Sequence, residues 1–231
     1  MPQHLKSIFN YYENSIKIIS VFAIAAFFVA CDKKDSIKTE DKKDVLESTG
    51  SSTVYDVDLT SSTLGWKGTK VGGAHNGTIN ISSGTISVEN NEIKAGNFEI
   101  DMKTIKDADI TEADGAGKLV GHLGSPDFFD IEKFPTSKFE ITGVEKLAQV
   151  DEKGNTHNIK GNLTISVTKN ITIAANVNMD ANQFSATSKF NIDRTDFGVK
   201  YKSGKFDAAV KDKAIGDVME FDLILKALPK Q

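Results

Sequence analysis

From Thr53 to the end of the chain, apolar and polar residues alternate with a period of two, segment after segment. Tyr55, Val57 and Leu59 share one parity, and Leu64 and Trp66 follow a Thr-Ser-Ser-Thr turn. Ile79 and Ile81 alternate, Ser82-Ser83-Gly84 reads as a turn, and Ile86 and Val88 come after it. The same rhythm runs through Phe98, Ile100 and Met102, then Phe139 and Ile141, then Leu163, Ile165 and Val167. After a turn at Thr168-Lys169-Asn170 come Ile171 to Met179, then Phe184 to Ile192, then Phe221 to Ala227. Such alternation marks strands with one face buried and one in water, and short polar breaks between them mark antiparallel neighbours. About ten strand candidates in one domain leave edges to be managed, and closure into a barrel removes them. The pattern predicts an all-β, antiparallel β-barrel over residues 53–228.

Residues 103–137 break the rhythm, being too polar and Gly-rich for a strand. Leu119, Val120 and Leu123 fall at helical spacing, which predicts one short helix ending near Gly124 or Ser125-Pro126. Phe128, Phe129, Ile131 and Phe134 then cluster within seven residues. A long connection this aromatic is expected to pack over one end of the barrel, and long connections in compact domains often serve as lids or binding loops.

Ahead of the strands the pattern is different. Ile18 to Ala30 is an uncharged apolar run ending at Cys31, the only cysteine of the 231-residue chain. A spanning helix needs roughly 20 apolar residues, so this shorter run fits a secretory leader, with Lys6 and Lys17 ahead of it. Ala30 before Cys31 suits cleavage between them, although Phe28 stands where such signals usually carry Leu. Residues 1–30 therefore read as a lipoprotein signal peptide and Cys31 as a lipidated, palmitate-type N-terminus that anchors the protein to a membrane of the bacterial cell envelope, on its periplasmic or surface side. Residues 31–52 are rich in Lys, Asp, Glu and Ser, with few apolar residues, and are expected to be a disordered charged tether reaching about 25 Å.

The formal net charge of −4 gives no basic face for phosphates, which argues against nucleic acid as a partner. No nucleophile elbow, HExxH motif, P-loop or dinucleotide fingerprint is present. Gly72-Gly73 has no helix after it and reads as a tight strand connection. His75, His122 and His157 lack the spacing of a helical metal pair; His157 lies in a turn-like stretch and is expected in solvent, and no metal site is expected. Arg194, in Asp193-Arg194-Thr195-Asp196, reads first as a salt-bridged turn residue and second as a rim group for a ligand headgroup. A barrel of about eight strands either fills itself with side chains or holds one ligand, and alternation alone leaves both open.

Taken in order, Val54-Tyr55-Asp56-Val57-Asp58, Leu64 to Gly77, Gly96 to Met102, His122 to Asp130, Lys133 to Phe139, Gly161 to Ile165 and Ile192 to Gly198 resemble the YceI-like family of secreted lipid-binding proteins. The resemblance spans residues 53–228. It implies an extended, lipocalin-like barrel around a long isoprenoid- or quinone-type lipid, with no catalytic residues and no cofactor. On that footing, Trp66, His75, Phe98, Ile100, Met102, Phe128, Phe129, Phe139, Phe190 and Ile192 are the expected lipid-binding residues, with His122 and Arg194 as headgroup candidates. The expected partners are the lipid and the membrane, and a homodimer is left open. The alternatives are an envelope interaction or stress-response module with a filled barrel, and an enzyme using His75 or His122.

Overall fold

In the computed structural model, residues 35–231 are described. The stretch expected to be a leader, and Cys31, lie outside them. Nine strands occupy these residues: β1 (Thr53–Val57), β2 (Thr63–Lys70), β3 (Gly73–Glu89), β4 (Glu92–Asp107), β5 (Thr136–Lys146), β6 (His157–Thr164), β7 (Thr168–Met179), β8 (Phe184–Asp193) and β9 (Val218–Pro229). One α-helix, α1 (Ala116–Gly124), and two 3₁₀ turns, Arg194–Phe197 and Ala208–Lys213, complete the chain.

All nine strands belong to one antiparallel sheet, in the order β1-β3-β2-β9-β8-β7-β6-β5-β4, and β3 pairs back to β4. Strands β1 and β2 share one place in the ring. Each lies between β3 and β9, β1 against Thr85–Val88 and Ala227–Pro229, β2 against Gly73–Ile79 and Glu220–Ile224. The sheet thus closes as an eight-position barrel, and closure satisfies the backbone groups that an open sheet leaves at its edges.

The long β3–β4 ladder curves around the barrel through three register shifts, one of them between Ile81 and Ser83. Here the structure differs from the turn expected at Ser82–Gly84: an extra residue bends the strand without ending it. Strand β4 likewise runs on to Asp107, inside the stretch expected to be irregular. Strand β1 stops at Val57, because the Asp58 carboxylate accepts from the Thr60 and Ser61 N–H groups and turns the chain, leaving Leu59 exposed. The turn expected at Thr168–Asn170 falls three residues earlier, where Thr164 pairs with Thr168 across a tight connection. The Gly72 turn forms as expected, with φ of +79° that favours glycine.

The inward faces make two apolar clusters stacked along the barrel. One gathers Trp66, Ile79, Met102, Leu123, Phe128, Phe129, Ile192 and Phe197. The other gathers Tyr55, Ile81, Ile86, Ile141, Val177, Phe184 and Leu225. Helix α1 ends at Gly124 as the spacing predicts, and the aromatic run after it packs into the first cluster.

Residues 35–52 are not the free tether expected from their composition. They run extended across the outer face of the barrel. Ile37 N–H donates to the Asn191 carbonyl, Glu40 and Asn170 exchange both backbone bonds, and Leu46 N–H donates to the Ile141 carbonyl at the β5 register shift. Asn162 holds the Lys43 peptide from both sides: Oδ1 accepts its N–H (3.0 Å) and Nδ2 donates to its carbonyl (2.7 Å). Asn162 and Asn170 point outward on adjacent strands yet are buried beneath this strap. Composition misses such a segment because polar hydrogen bonds do most of the holding, with Ile37 the residue that packs against the first cluster. Asn162→Ala leaves the Lys43 peptide unpartnered and is expected to cost about 1–3 kcal/mol and to open residues 35–48 to limited proteolysis while the barrel stays resistant; an unchanged cleavage pattern would show that the strap is fixed elsewhere.

Candidate functional site

The barrel encloses a cavity of about 260 Å³. A single buried water needs only about 10–15 Å³ on the same measure, so the interior is far larger than one water requires, while lying just below the roughly 300 Å³ at which small-molecule sites begin. The walls are aliphatic and aromatic along the whole barrel, from Ile79, Ile100, Met102 and Ile192 in the first cluster to Ile86, Val177, Phe184 and Leu225 in the second. This follows from strand parity. The side chains of β6, β7 and β8 that line the cavity are those of alternate residues, such as Ile171, Ile173, Ala175 and Val177.

All ten residues expected to meet a lipid line this cavity. Trp66 donates its indole N–H to the Thr78 carbonyl (3.3 Å), which fixes the ring in the wall. Phe98 and Phe139 face each other across β4 and β5 with ring centroids 6.3 Å apart. A Cβ on Gly161 would meet the Phe139 ring, so glycine there lets that ring lie over the neighbouring strand. Ile100, Met102 and Ile192 are buried in the wall, and the Ser137 hydroxyl donates to the Met102 sulfur (3.0 Å). Phe190 stacks on Phe221 at 5.3 Å. Phe128 and Phe129 pack edge-on to one another. His75 is the remaining member and sits at one end. The strand-parity signal also marks wall residues that the sequence reading did not single out, among them Leu64, Ile79, Ile165, Met219 and Phe221.

Most of the polar groups of the lining gather at the end that carries the β2–β3 hairpin, α1 and the β8–β9 connection. Thr69, Lys70, His75, His122 and Arg194 lie there; Ser137 of β5 and Ser188 of β8 are further polar residues of the lining, and the residues from Ile86 to Leu225 in the second cluster are apolar. His122 stands edge-on to Phe128 and Tyr201, and its Nε2 lies 3.4 Å from an Asp127 carboxylate oxygen. Tyr201 had no distinguishing signal in the sequence. His75 does not meet His122. Its Nδ1 lies 3.3 Å from Asp109 Oδ2, and His75, Asp107 and Asp109 place one ligand atom each within 4.8 Å of one another. One imidazole nitrogen and two carboxylate oxygens are a donor set that a divalent cation accepts. Asp109 is held below the usual carboxylate range, first by the Asn76 N–H that it accepts.

Arg194 is almost fully buried, and its guanidinium is spent on the fold. Nε donates to the Gly216 carbonyl (3.0 Å), Nη1 to the Val199 carbonyl (2.8 Å), and Nη2 to the Ile215 carbonyl (3.1 Å) and Asp217 Oδ1 (3.2 Å). Burial pulls its pKa down, while Asp217 and Asp193 oppose that shift. Its carbon centre also stands 5.5 Å from the Phe128 ring centroid. Four of the five N–H hydrogens are thereby engaged, so Arg194 braces the β8–β9 connection at the polar end. Next to it, Asp193 caps the 3₁₀ turn through Thr195 N–H and pairs with Lys205.

His157, expected in solvent, is buried at the opposite end, with Nδ1 2.8 Å from the Thr156 hydroxyl. It opens β6 on the inward parity instead of sitting in the preceding turn. Burial lowers its pKa, and Lys146 adds to the effect.

Two outcomes follow from these groups. Arg194→Met strands Asp217 and three carbonyls and is expected to cost about 3–5 kcal/mol in denaturant unfolding; Arg194→Lys does not restore it, because an ammonium lacks the planar fork. A loss below ~1 kcal/mol would remove the brace from the account. For His157, the unfolded chain takes up a proton below about pH 6.5 while the folded chain resists it, so stability falls as pH drops below that value. His157→Gln is expected to flatten this limb of the stability–pH curve, and an unaltered slope would place the acid sensitivity on other groups.

A family model described as the YceI-like domain matches residues 55–227, most of the barrel. A UPF0312 protein of Azotobacter vinelandii is 34% identical over 101 residues, 43% of this chain and 47% of that protein. A UPF0312 protein of Pseudomonas putida is 29% identical over 134 residues, 54% of this chain and 63% of that protein. These matches thus span about half to two thirds of the length of the relatives. Among solved structures, Burkholderia cenocepacia BcnA superposes with a TM-score of 0.57 at 18% identity, covering 74% of this chain and 99% of that one. A structure described as a polyisoprenoid binding domain from Saccharophagus degradans, implicated in plant cell wall breakdown, superposes with a TM-score of 0.53 at 12% identity, covering 77% and 99%. At these identities the two structures establish the shared fold.

Proposed function

The chain belongs to the YceI-like domain family, and from that premise we infer that it binds one long apolar lipid of the isoprenoid or quinone type inside its barrel. The observation that carries this reading is the cavity itself: continuous along both core clusters, walled mostly by aliphatic and aromatic side chains, and with its charged and imidazole groups at one end. Each CH₂ moved from water into such a lining contributes roughly 0.8 kcal/mol, part of which offsets association and chain ordering. A headgroup would meet His75 and His122 at the polar end, and Arg194 would serve by shaping that end. The function is carriage or scavenging, with no chemical step. An unfilled interior favours this over a solid-cored interaction module.

The anchoring reading belongs to the same proposal. An acyl group on Cys31 would hold the protein at a membrane of the bacterial envelope. Asp35 is fixed to the barrel, its carbonyl accepting from Asn191 Nδ2 (3.1 Å).

Organic extraction of the purified protein, read by mass spectrometry, tests the ligand. A long-chain isoprenoid-type lipid at near one equivalent is expected. Ala186→Trp, which places an indole in the cavity from the β8 wall, is expected to keep the β-sheet circular dichroism and lose the lipid. A barrel that is empty on extraction and takes up no added polyprenyl lipid would overturn the proposal.

A further inference from the structure

We propose that the connection between β8 and β9, together with the tip of the β2–β3 hairpin, is a docking surface for an anionic lipid bilayer. This sets the polar end of the cavity against the membrane. The inference extends the lipid-binding reading by naming the surface from which the ligand is exchanged, and it does not depend on acylation of Cys31.

The first observation is local charge. The chain as a whole is acidic, at −4. Yet residues 199–215 carry Lys200, Lys202, Lys205, Lys211 and Lys213 against only Asp207 and Asp212. Lys205 is committed to Asp193, which leaves four lysines for the outside. The second is exposed apolar surface in the same place. Phe206 is 57% exposed and Val71 is 56% exposed, the two largest values for Phe, Val, Leu or Ile at this end of the barrel. Lys200 Nζ lies 4.6 Å from the Phe206 ring centroid. Lysines around a protruding aromatic and an aliphatic side chain form the pattern of a membrane-interface element.

This lobe is braced, so the groups it presents are held together. Arg194 fastens Val199, Ile215, Gly216 and Asp217 from beneath. The hairpin tip is zipped to it through Val71 N–H to the Ala214 carbonyl (3.1 Å) and Gly216 N–H to the Thr69 carbonyl (2.7 Å).

What commits the surface to an anionic bilayer is its charge complementarity together with the exposed Phe206 and Val71 among the lysines. The strap begins at Asp35 against Asn191 of β8, and Thr39 donates to Asp196 of this lobe (3.0 Å). The acidic residues Asp107, Asp109, Glu112 and Asp114 follow β4, four places around the ring from β8. An anionic surface is thus attracted on the β8 side and repelled on the β4 side, which tilts the barrel with its β8–β9 lobe downward.

Residues 35–231 contain the closed sheet and both core clusters, and so fold without the leader. Flotation of this chain with vesicles of phosphatidylcholine, with and without phosphatidylglycerol, tests the proposal. Binding to the phosphatidylglycerol vesicles is expected, weakened by added salt. The combined variant Lys200→Gln, Lys202→Gln, Lys211→Gln and Lys213→Gln is expected to lose binding tenfold or more, and Phe206→Ser severalfold. Lys146→Gln with Lys226→Gln, at the opposite end, is expected to bind as the parent does. No vesicle binding by the parent, or undiminished binding by the fourfold variant, would overturn the docking surface. Extraction of the same preparation separates the two readings: lipid in the cavity without vesicle binding removes only the docking surface, and vesicle binding by an empty barrel that refuses polyprenyl lipid removes only the carrier.

Discussion

A β-sheet carries a row of unpaired N–H and C=O groups at each edge, and in this chain the pairing of β3 with β4 removes both rows at once. Everything else is subordinate to that closure. With eight places in the ring, the interior is wide enough to be filled by side chains or to hold one ligand, and here the inward residues leave a cavity. The three register shifts of the β3–β4 ladder supply the curvature, and β1 and β2 share a place so that one end of β3 and β9 is covered by each. The ring makes room for the cavity; its apolar lining is a consequence of strand parity.

The two ends of the barrel are chemically different, and the difference comes from what caps them. At one end α1, the aromatic run after it and the β8–β9 connection bring His122, Arg194 and their partners against the opening of the first cluster. Arg194 is the organising group there. Its buried charge would be costly alone, and it is retained because three carbonyls and a carboxylate converge on it. The same residue thereby shapes the cavity rim and rigidifies the lysine-bearing lobe above it. At the other end buried His157 and the Tyr55–Phe184 pair sit among aliphatic side chains.

Much of this was legible in the residues. Alternation through Phe98–Met102, Ile171–Val177 and Phe184–Ile192 gave the strands and their inward faces, and Phe98, Ile100, Met102, Phe190 and Ile192 on those faces line the cavity. The helix near Leu119–Leu123 and the packing role of Phe128 and Phe129 were legible for the same reason, since apolar spacing reports burial. What was hidden is what polar groups do at a distance. Nothing in residues 35–52 announces a partner, because the partner is a pair of outward asparagines more than a hundred residues away. The convergence of His75 with Asp107 and Asp109, and of Arg194 with Asp217, likewise depends on how the connections fold back, which local periodicity does not encode. Strand continuation through Ser82–Gly84 was missed because a bulge and a turn share the same small, polar residues.

Trp66 is the only tryptophan of the chain, and its ring forms part of the cavity wall. Titrating the protein, stripped of lipid, with a polyprenyl chain bearing a bromine quencher while following Trp66 emission therefore reads the interior directly. Saturable quenching that ends at one chain per barrel is the result expected of a lipid-holding barrel. Emission that stays constant through the titration would mean that no apolar chain enters, and the account of the barrel as a lipid container would be contradicted.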